Sequence, residues 1–141
     1  MIEIIPVGKL KNRDLRPLID YYIKLSSRWV KVREREIVPA QLEKVLFEKG
    51  VNILLDEKGE EMDSIEFSKM LGELLQRYGH IKFFIGEEEG FKENHRKRAD
   101  RIISLSKLTF PHELVRVIIA EQIFRGLSIL HHHPYHRSCP P

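Results

Sequence analysis

Two runs of residues, Val51–Leu55 and Ile81–Ile85, constrain the fold of this chain more than any other feature. Each is about five residues long, too short for a helix, and predominantly apolar rather than alternating. That is the pattern of a strand covered on both faces. Strands of this kind belong to parallel sheets, and parallel neighbours need a crossover between them, usually a helix. A crossover lies between these two: Asp63 with Glu66 three residues on is a capping box, opening a helix to about Arg77 that Gly79-His80 ends.

The same reading extends along the chain. Residues 2–7 form a first strand closed by Gly8, and Asn12 or Asp14 caps a helix to about Ser27 with Leu15, Leu18, Ile19, Tyr22 and Ile23 at helical spacing. Lys31–Val38 reads as a half-exposed strand, Gln41–Lys49 as a short helix, and Asp56–Glu61 as a loop. A helix over Glu93–Ala99, a strand near Ile102–Ser104 and a last helix from Pro111 to about Leu130 complete the chain. The expectation is one α/β domain spanning 1–141, with a mainly parallel sheet flanked by helices. A length of 141 residues suits a single core.

Composition removes several classes. At 42% hydrophobic and 32% charged residues the chain can bury a core, which excludes disorder. No apolar run approaches the ~20 residues of a membrane span, and Met1–Pro6 lacks the pattern of a secretory signal. Cys139 is the only cysteine, so no internal disulfide is possible. The protein is expected to be cytoplasmic, without a membrane partner.

Charge is more informative by position than in total. The formal net charge is +3, yet Lys9–Glu36 carries nine basic and four acidic residues, and Lys92–Arg101 is a second basic stretch. Such segments either attract a phosphate backbone or are solvated helix faces. The last helix is apolar over most of its circumference, with Leu114, Val117, Ile118, Ala120 and Phe124 joined by Val115, Ile119, Ile123 and Leu127. It must be covered on more than one side, either at the centre of the chain's own core or against a second copy.

Three segments carry candidate chemistry. The run Ile85–Gly90 (IGEEEG) is a loop at the carboxyl end of a buried strand, where open α/β sheets collect ligands. It is neither a Walker loop nor a dinucleotide fingerprint, and its three glutamates would repel phosphates. A cationic ligand such as S-adenosylmethionine suits it; a simple acidic turn is the alternative. Leu105–His112 (LSKLTFPH) offers backbone amides and apolar walls, Leu108 and Phe110, for a purine, unless Thr109 simply caps the following helix. His131–Arg137 (HHHPYHR) invites a metal reading, but consecutive helical residues point ~100° apart and three adjacent imidazoles do not converge on one ion. No metal is expected. Its ring, imidazole and guanidinium groups instead suit bases and phosphates.

These segments, taken with others, carry a resemblance. Val7–Leu10 (VGKL), Leu54–Gly59 (LLDEKG) with Glu66–Ser68 (EFS), Phe84–Gly86 (FIG) with Glu89-Gly90, Leu105–His112, Leu114–Val117 (LVRV), Glu121–Arg125 (EQIFR) and His133–Arg137 (HPYHR) occur in this order over essentially the whole chain. The sequence strongly resembles the RlmH family of the SPOUT superfamily, the bacterial 23S ribosomal RNA (pseudouridine-N3)-methyltransferases. The resemblance implies an α/β fold with a deep C-terminal trefoil knot, a homodimer with its sites at the subunit interface, S-adenosylmethionine as donor, and the large subunit or 70S ribosome as partner.

Residue by residue, the resemblance assigns Leu55, Gly86, Leu105, Ser106, Lys107, Leu108, Thr109 and Phe110 to the donor. His133, Tyr135, His136, Arg137 and Arg125 match positions that reach the RNA, while Arg116 and Glu121 match polar positions on the last helix. For catalysis at N3, either a nearby base or a cation that stabilises the deprotonated imide is needed; Tyr135, His136 and Arg116 are the candidates, with His136 favoured as base because an imidazole titrates near neutrality. Two departures stand out: Glu87 replaces a glycine common in the family, and Ser138–Pro141 extends past where several relatives stop. The competing functions are a non-catalytic ribosome- or RNA-binding module of the same fold and a sister enzyme that methylates tRNA.

Overall fold

The computed structural model describes residues 1–137; Ser138–Pro141, with Cys139, lie outside the described residues. Five strands, β1 (Ile2–Pro6), β2 (Val32–Glu34), β3 (Val51–Glu61), β4 (Ile81–Ile85) and β5 (Arg101–Ser104), alternate with helices α1 (Arg16–Ser26), α2 (Leu42–Phe47), α3 (Ser64–Tyr78), α4 (Glu93–Arg96) and α5 (His112–Leu130). The sheet order is β2-β1-β4-β3-β5 and every pairing is parallel. β3 and β4 therefore lie at the interior of the sheet, as their buried composition requires.

The two faces are covered unequally. Ile2, Ile4, Ile53, Ile81 and Phe83 pack with Phe67, Met70 and Leu71 of α3 and Ile119, Ala120, Ile123 and Leu127 of α5. On the other face Ile5, Leu54 and Phe84 meet Leu42, Val45 and Leu46 of α2, together with Phe91. α5 packs on α1, on α3 and on the strands between them, which accounts for its broad apolar circumference. Gly126 makes the α3 contact close: Ser68 Oγ donates to its carbonyl at 2.8 Å.

Local signals explain most boundaries. The capping box opens α3, with Glu66 N donating to Asp63 Oδ1 at 2.8 Å and Asp63 N to Glu66 Oε1 at 3.2 Å. Gly79 closes the helix at φ +75°, the left-handed geometry glycine accepts freely. A 3-10 turn over Arg13–Leu15, capped by Asn12, precedes α1.

Four expectations shift. The loop expected at Asp56–Glu61 is instead the second half of β3, which pairs with β5 across a register shift between Leu55 and Glu60. Its charged, solvent-facing composition hides a strand on which only one edge is paired. The helix expected to reach Ala99 ends at Arg96, because Asn52 binds the Arg98 carbonyl through its side chain at 3.0 Å and accepts from Asp100 N at 2.8 Å. These bonds draw the chain into β5. β2 is short, with Ile37 touching Val7 as an isolated bridge, and α2 spans Leu42–Phe47 behind a 3-10 turn at Pro39–Gln41.

A polar row crosses the sheet where the sequence looked apolar. Glu3, Lys82 and Asn52 are buried side by side in register. Lys82 Nζ donates to the carbonyls of Val45 and Glu48, both at 2.7 Å, and so caps the C-terminus of α2 from the opposite layer. Glu3 takes Arg33, Arg35 and His80.

Candidate functional site

The carboxyl ends of the strands open into one cleft of about 1420 Å³. Its walls come chiefly from four segments: Val7–Asn12 after β1 without Leu10, Leu55–Lys58 within β3, Ile85–Phe91 after β4, and Leu105–Arg116 after β5 without Lys107. This is the position where a parallel sheet delivers loops to a ligand.

Of the residues assigned to a donor by resemblance, Leu55, Gly86, Leu105, Ser106, Leu108, Thr109 and Phe110 all line this cleft. Lys107 does not; its ammonium is exposed and lies 3.5 Å from Glu61. Gly86 sits where a Cβ would stand 3.3 Å from the Phe91 ring and 3.4 Å from the Gly90 carbonyl carbon, so the wall is tight against backbone. The Ser106 hydroxyl accepts from Leu108 N at 3.0 Å, and Ser104 Oγ donates to the Ser106 carbonyl at 2.8 Å. Thr109 does not cap α5. Its hydroxyl donates to Glu57 at 2.7 Å, joining two walls of the cleft, and α5 begins behind Pro111 without a side-chain cap.

The cleft is rich in carboxylates, some already engaged. Glu113 accepts from Asn12 N at 2.9 Å and Lys11 N at 3.1 Å, and those amides hold its carboxyl below the usual range. Asp56 pairs with Arg96. Glu87, Glu88 and Glu89 are exposed along the rim. Sequence reasoning did not place Asp56, Glu57, Phe91, Arg96 or Glu113 here; the signal for the first two was concealed in the supposed loop after Leu55.

The three catalytic candidates are not together. Arg116 is 1% exposed at the floor of the cleft. Its guanidinium donates to Glu36 at 2.6 Å and to the Gly8 carbonyl at 3.0 Å. Those contacts tie it to the loop after β1 and to Glu36, and a guanidinium is no base at neutral pH, which leaves it only the role of a cation. Tyr135 and His136 belong to a second cluster over the C-terminal half of α5, centred on Glu121. There Glu121 Oε2 accepts from Arg125 Nη2 at 2.6 Å, Arg125 Nε at 3.0 Å and the Tyr135 hydroxyl at 2.7 Å. Arg125 lies 4.8 Å from the centre of the Tyr135 ring and 3.1 Å from His136 Nδ1. Burial, then the Glu121 carboxylate and the Tyr22 hydroxyl, holds the Tyr135 phenol far above its ordinary range, so it stays protonated. Along α5, Arg125 is nine residues beyond Arg116, about 13 Å at 1.5 Å per residue.

The histidine run is packed rather than convergent. His131 stacks on Trp29 at 5.2 Å, and His133 meets Trp29 and Phe124 edge-on. His132 turns the chain at φ +58°. Among the described residues no group of three His, Cys, Asp or Glu side chains is placed to hold a metal ion, and no helix is long and apolar enough to cross a membrane.

Comparison with known proteins places this geometry in a family. Residues 1–136 match the family described as predicted SPOUT methyltransferase. The chain is 39% identical to ribosomal RNA large subunit methyltransferase H of Caldicellulosiruptor bescii, over 97% of its own length and 100% of that protein. The proteins of the same name from Sulfurovum sp. and Campylobacter hominis are 36% and 37% identical, with 96% and 97% of this chain covered and 99% and 100% of theirs. Among solved structures, a probable methylase family protein from Haemophilus influenzae superposes with a TM-score of 0.61 at 7% identity, covering 99% of this chain and 72% of that one. TrmJ from Z. mobilis gives 0.54 at 10% identity with the same coverage. These two show the shared fold. The chain belongs to the SPOUT methyltransferases and, within them, to the ribosomal RNA large subunit methyltransferase H family.

Proposed function

We propose that this protein is an S-adenosylmethionine-dependent methyltransferase that modifies N3 of a pseudouridine in 23S ribosomal RNA, acting in the cytoplasm on the large subunit or assembled ribosome. The observation that carries the reading is the convergence of Leu55, Gly86 and the 105–110 segment on one cleft in a chain with near full-length relatives of that name. The residues fit the donor. Leu55, Leu105, Leu108 and Phe110 supply apolar walls, Gly86 lets a ligand approach backbone, and the glutamate rim favours a cation over a phosphate. When bound, S-adenosylmethionine supplies an electrophilic methyl group; transfer forms the N3–C bond, breaks the S–C bond and leaves the electron pair on a neutral thioether. The protein's part is to hold donor and imide in line and to stabilise the charge left when N3 loses its proton.

The reading includes a homodimer and the family's knotted C-terminal path within one domain, 1–141. Two features support the second copy. The RNA-facing candidates Arg125, His133, Tyr135, His136 and Arg137 do not line the cleft of their own chain. Leu18, Tyr21 and Leu114 are also 42%, 54% and 41% exposed, on α1 and at the cleft end of α5. A partner's C-terminal segment laid across the cleft answers both.

Methyl transfer to purified ribosomes, followed by nucleoside mass spectrometry, tests the activity. The expected product is N3-methylated pseudouridine from 23S RNA. Methylated tRNA instead indicates the sister activity, and calorimetry without donor binding indicates a non-catalytic module; either result overturns the proposal. For the dimer, Gly86→Val and His136→Ala proteins, each inactive alone, should regain activity when mixed.

A further inference from the structure

Arg125 can only donate hydrogen bonds, and its Nη1 lies 3.1 Å from His136 Nδ1. Nδ1 must therefore offer its lone pair to the guanidinium, and the neutral ring carries its hydrogen on Nε2. The edge of His136 that faces away from Arg125 is an N–H. It has no lone pair with which to take a proton. The geometry that fixes this is set one step further back. Glu121 holds Arg125 by two N–H groups on a single oxygen, while its other oxygen accepts from Gln122 Nε2 at 2.8 Å. The same Oε2 also takes the Tyr135 hydroxyl, so both aromatic members of the C-terminal segment are oriented by one carboxylate.

We propose that Glu121 is a positioning residue: by clamping Arg125 it fixes His136 as the Nε2–H tautomer, so that the C-terminal segment meets the target imide with hydrogen-bond donors and not with a general base. This rests on the reading of the protein as an imide N-methyltransferase. An imide carries a carbonyl on each side of its nitrogen, and both gain negative charge when the N3 proton departs. A donor held against one of those oxygens stabilises the anion, and the proton itself passes to water. The expectation from sequence that His136 acts as base is thereby replaced by the opposite polarity at the same residue. Glu121, which the resemblance left as a polar position without a defined task, acquires one.

The test combines a spectroscopic and a kinetic measurement on the full chain. Nitrogen-detected NMR of ¹⁵N-histidine protein, with His136 assigned by its loss in His136→Asn, reads the tautomer directly. The wild type should show Nε2 protonated and Nδ1 bare. Glu121→Gln, which keeps the packing, and Glu121→Ala, which releases Arg125, should both shift His136 toward a mixture of tautomers. In single-turnover methylation of ribosomes both should lose about 10²-fold in rate at saturating donor. Arg125→Lys should not rescue the rate, since an ammonium cannot form the clamp. A wild type with the hydrogen on Nδ1, or Glu121 variants with unaltered tautomer and rate, overturns the inference. A wild type with the expected tautomer that leaves ribosomes unmethylated overturns the function, and the positioning role with it.

Discussion

Arg116→Met separates a structural cation from a catalytic one. Methionine keeps much of the length of the side chain and removes its charge and its donors. In the wild type the guanidinium ties three segments together at the cleft floor: Glu36 at 2.6 Å, the Gly8 carbonyl at 3.0 Å, and α5 itself. Glu34 lies 3.9 Å away as a second carboxylate. Breaking a buried ion pair from one side costs roughly 3–5 kcal/mol. Glu36 is partly open to water, which favours the lower end, about 3 kcal/mol. Against a total of about 5–15 kcal/mol the variant should still fold, with a Tm lower by roughly 6–12 °C for a chain of this size. Urea unfolding followed by the fluorescence of Trp29, which stacks on Phe124 and His131, reads the loss. Burial pushes the Glu36 carboxyl up, but the bonds from Arg116 and Leu10 N and the nearby charges outweigh it and hold the group below its ordinary value of 4.5. The native state thus binds fewer protons than the unfolded chain as pH falls below that value. The stabilisation is present in full above it and fades as pH falls through the lowered native one. The gap between wild type and variant should therefore narrow in acid. An Arg116→Met protein with wild-type urea resistance and no methylation would place Arg116 in the chemistry and refute the reasoning.

Three further perturbations address the frame around the cleft. Gly59→Ala should detach the outer half of β3 from β5, because a Cβ there would stand 2.7 Å from the Ile102 backbone; calorimetry should show donor binding weakened at least tenfold, and unchanged affinity would mean that pairing does not shape the 105–110 wall. Gly126→Val should destabilise by about 1–3 kcal/mol through overpacking, since even a Cβ meets Leu71 at 2.7 Å; an unchanged urea midpoint would show that α3 and α5 can move apart freely. Burial lowers the Lys82 amine below its ordinary 10.5, so wild-type stability should gain relative to Lys82→Met as pH rises toward that value, and parallel pH profiles for the two proteins would contradict this.

How much of this was legible in the sequence depends on what each signal measured. Apolar runs and capping chemistry report burial and backbone geometry, and they located β1, the first half of β3, β4, α3 and α5 closely. The outer half of β3 escaped because Asp56–Glu61 is solvated, and its strand character comes from pairing with β5 rather than from composition. Lys82 and Asn52 escaped for the converse reason. Each donates to carbonyls at the end of another element, Lys82 to those of Val45 and Glu48, and the Asn52 side-chain amide nitrogen to those of Leu46 and Arg98. Tertiary partners of that kind leave no periodic trace. In the candidate site, the resemblance named the wall residues, but the state of His136 depends on which neighbour its Nδ1 meets, and that is a fact of distance.

The two ends of α5 bear on the proposed second copy. Its first turn, His112–Arg116, borders the cleft, whereas Glu121 at its midpoint gathers Arg125, Tyr135 and His136 over its C-terminal half. Arg125 lies nine residues beyond Arg116, about 13 Å at 1.5 Å per residue, and neither it nor His136 lines the cleft of its own chain. Bending α5 would break the contacts with α1, α3 and the sheet that bury it. In the proposed homodimer, a two-fold pair with these rods antiparallel would set the start of one helix beside the end of the other, and one symmetry operation would close two sites. In that arrangement the donors fixed by Glu121 in one copy would meet an imide held over the cleft of the other, and neither copy would need to move its core.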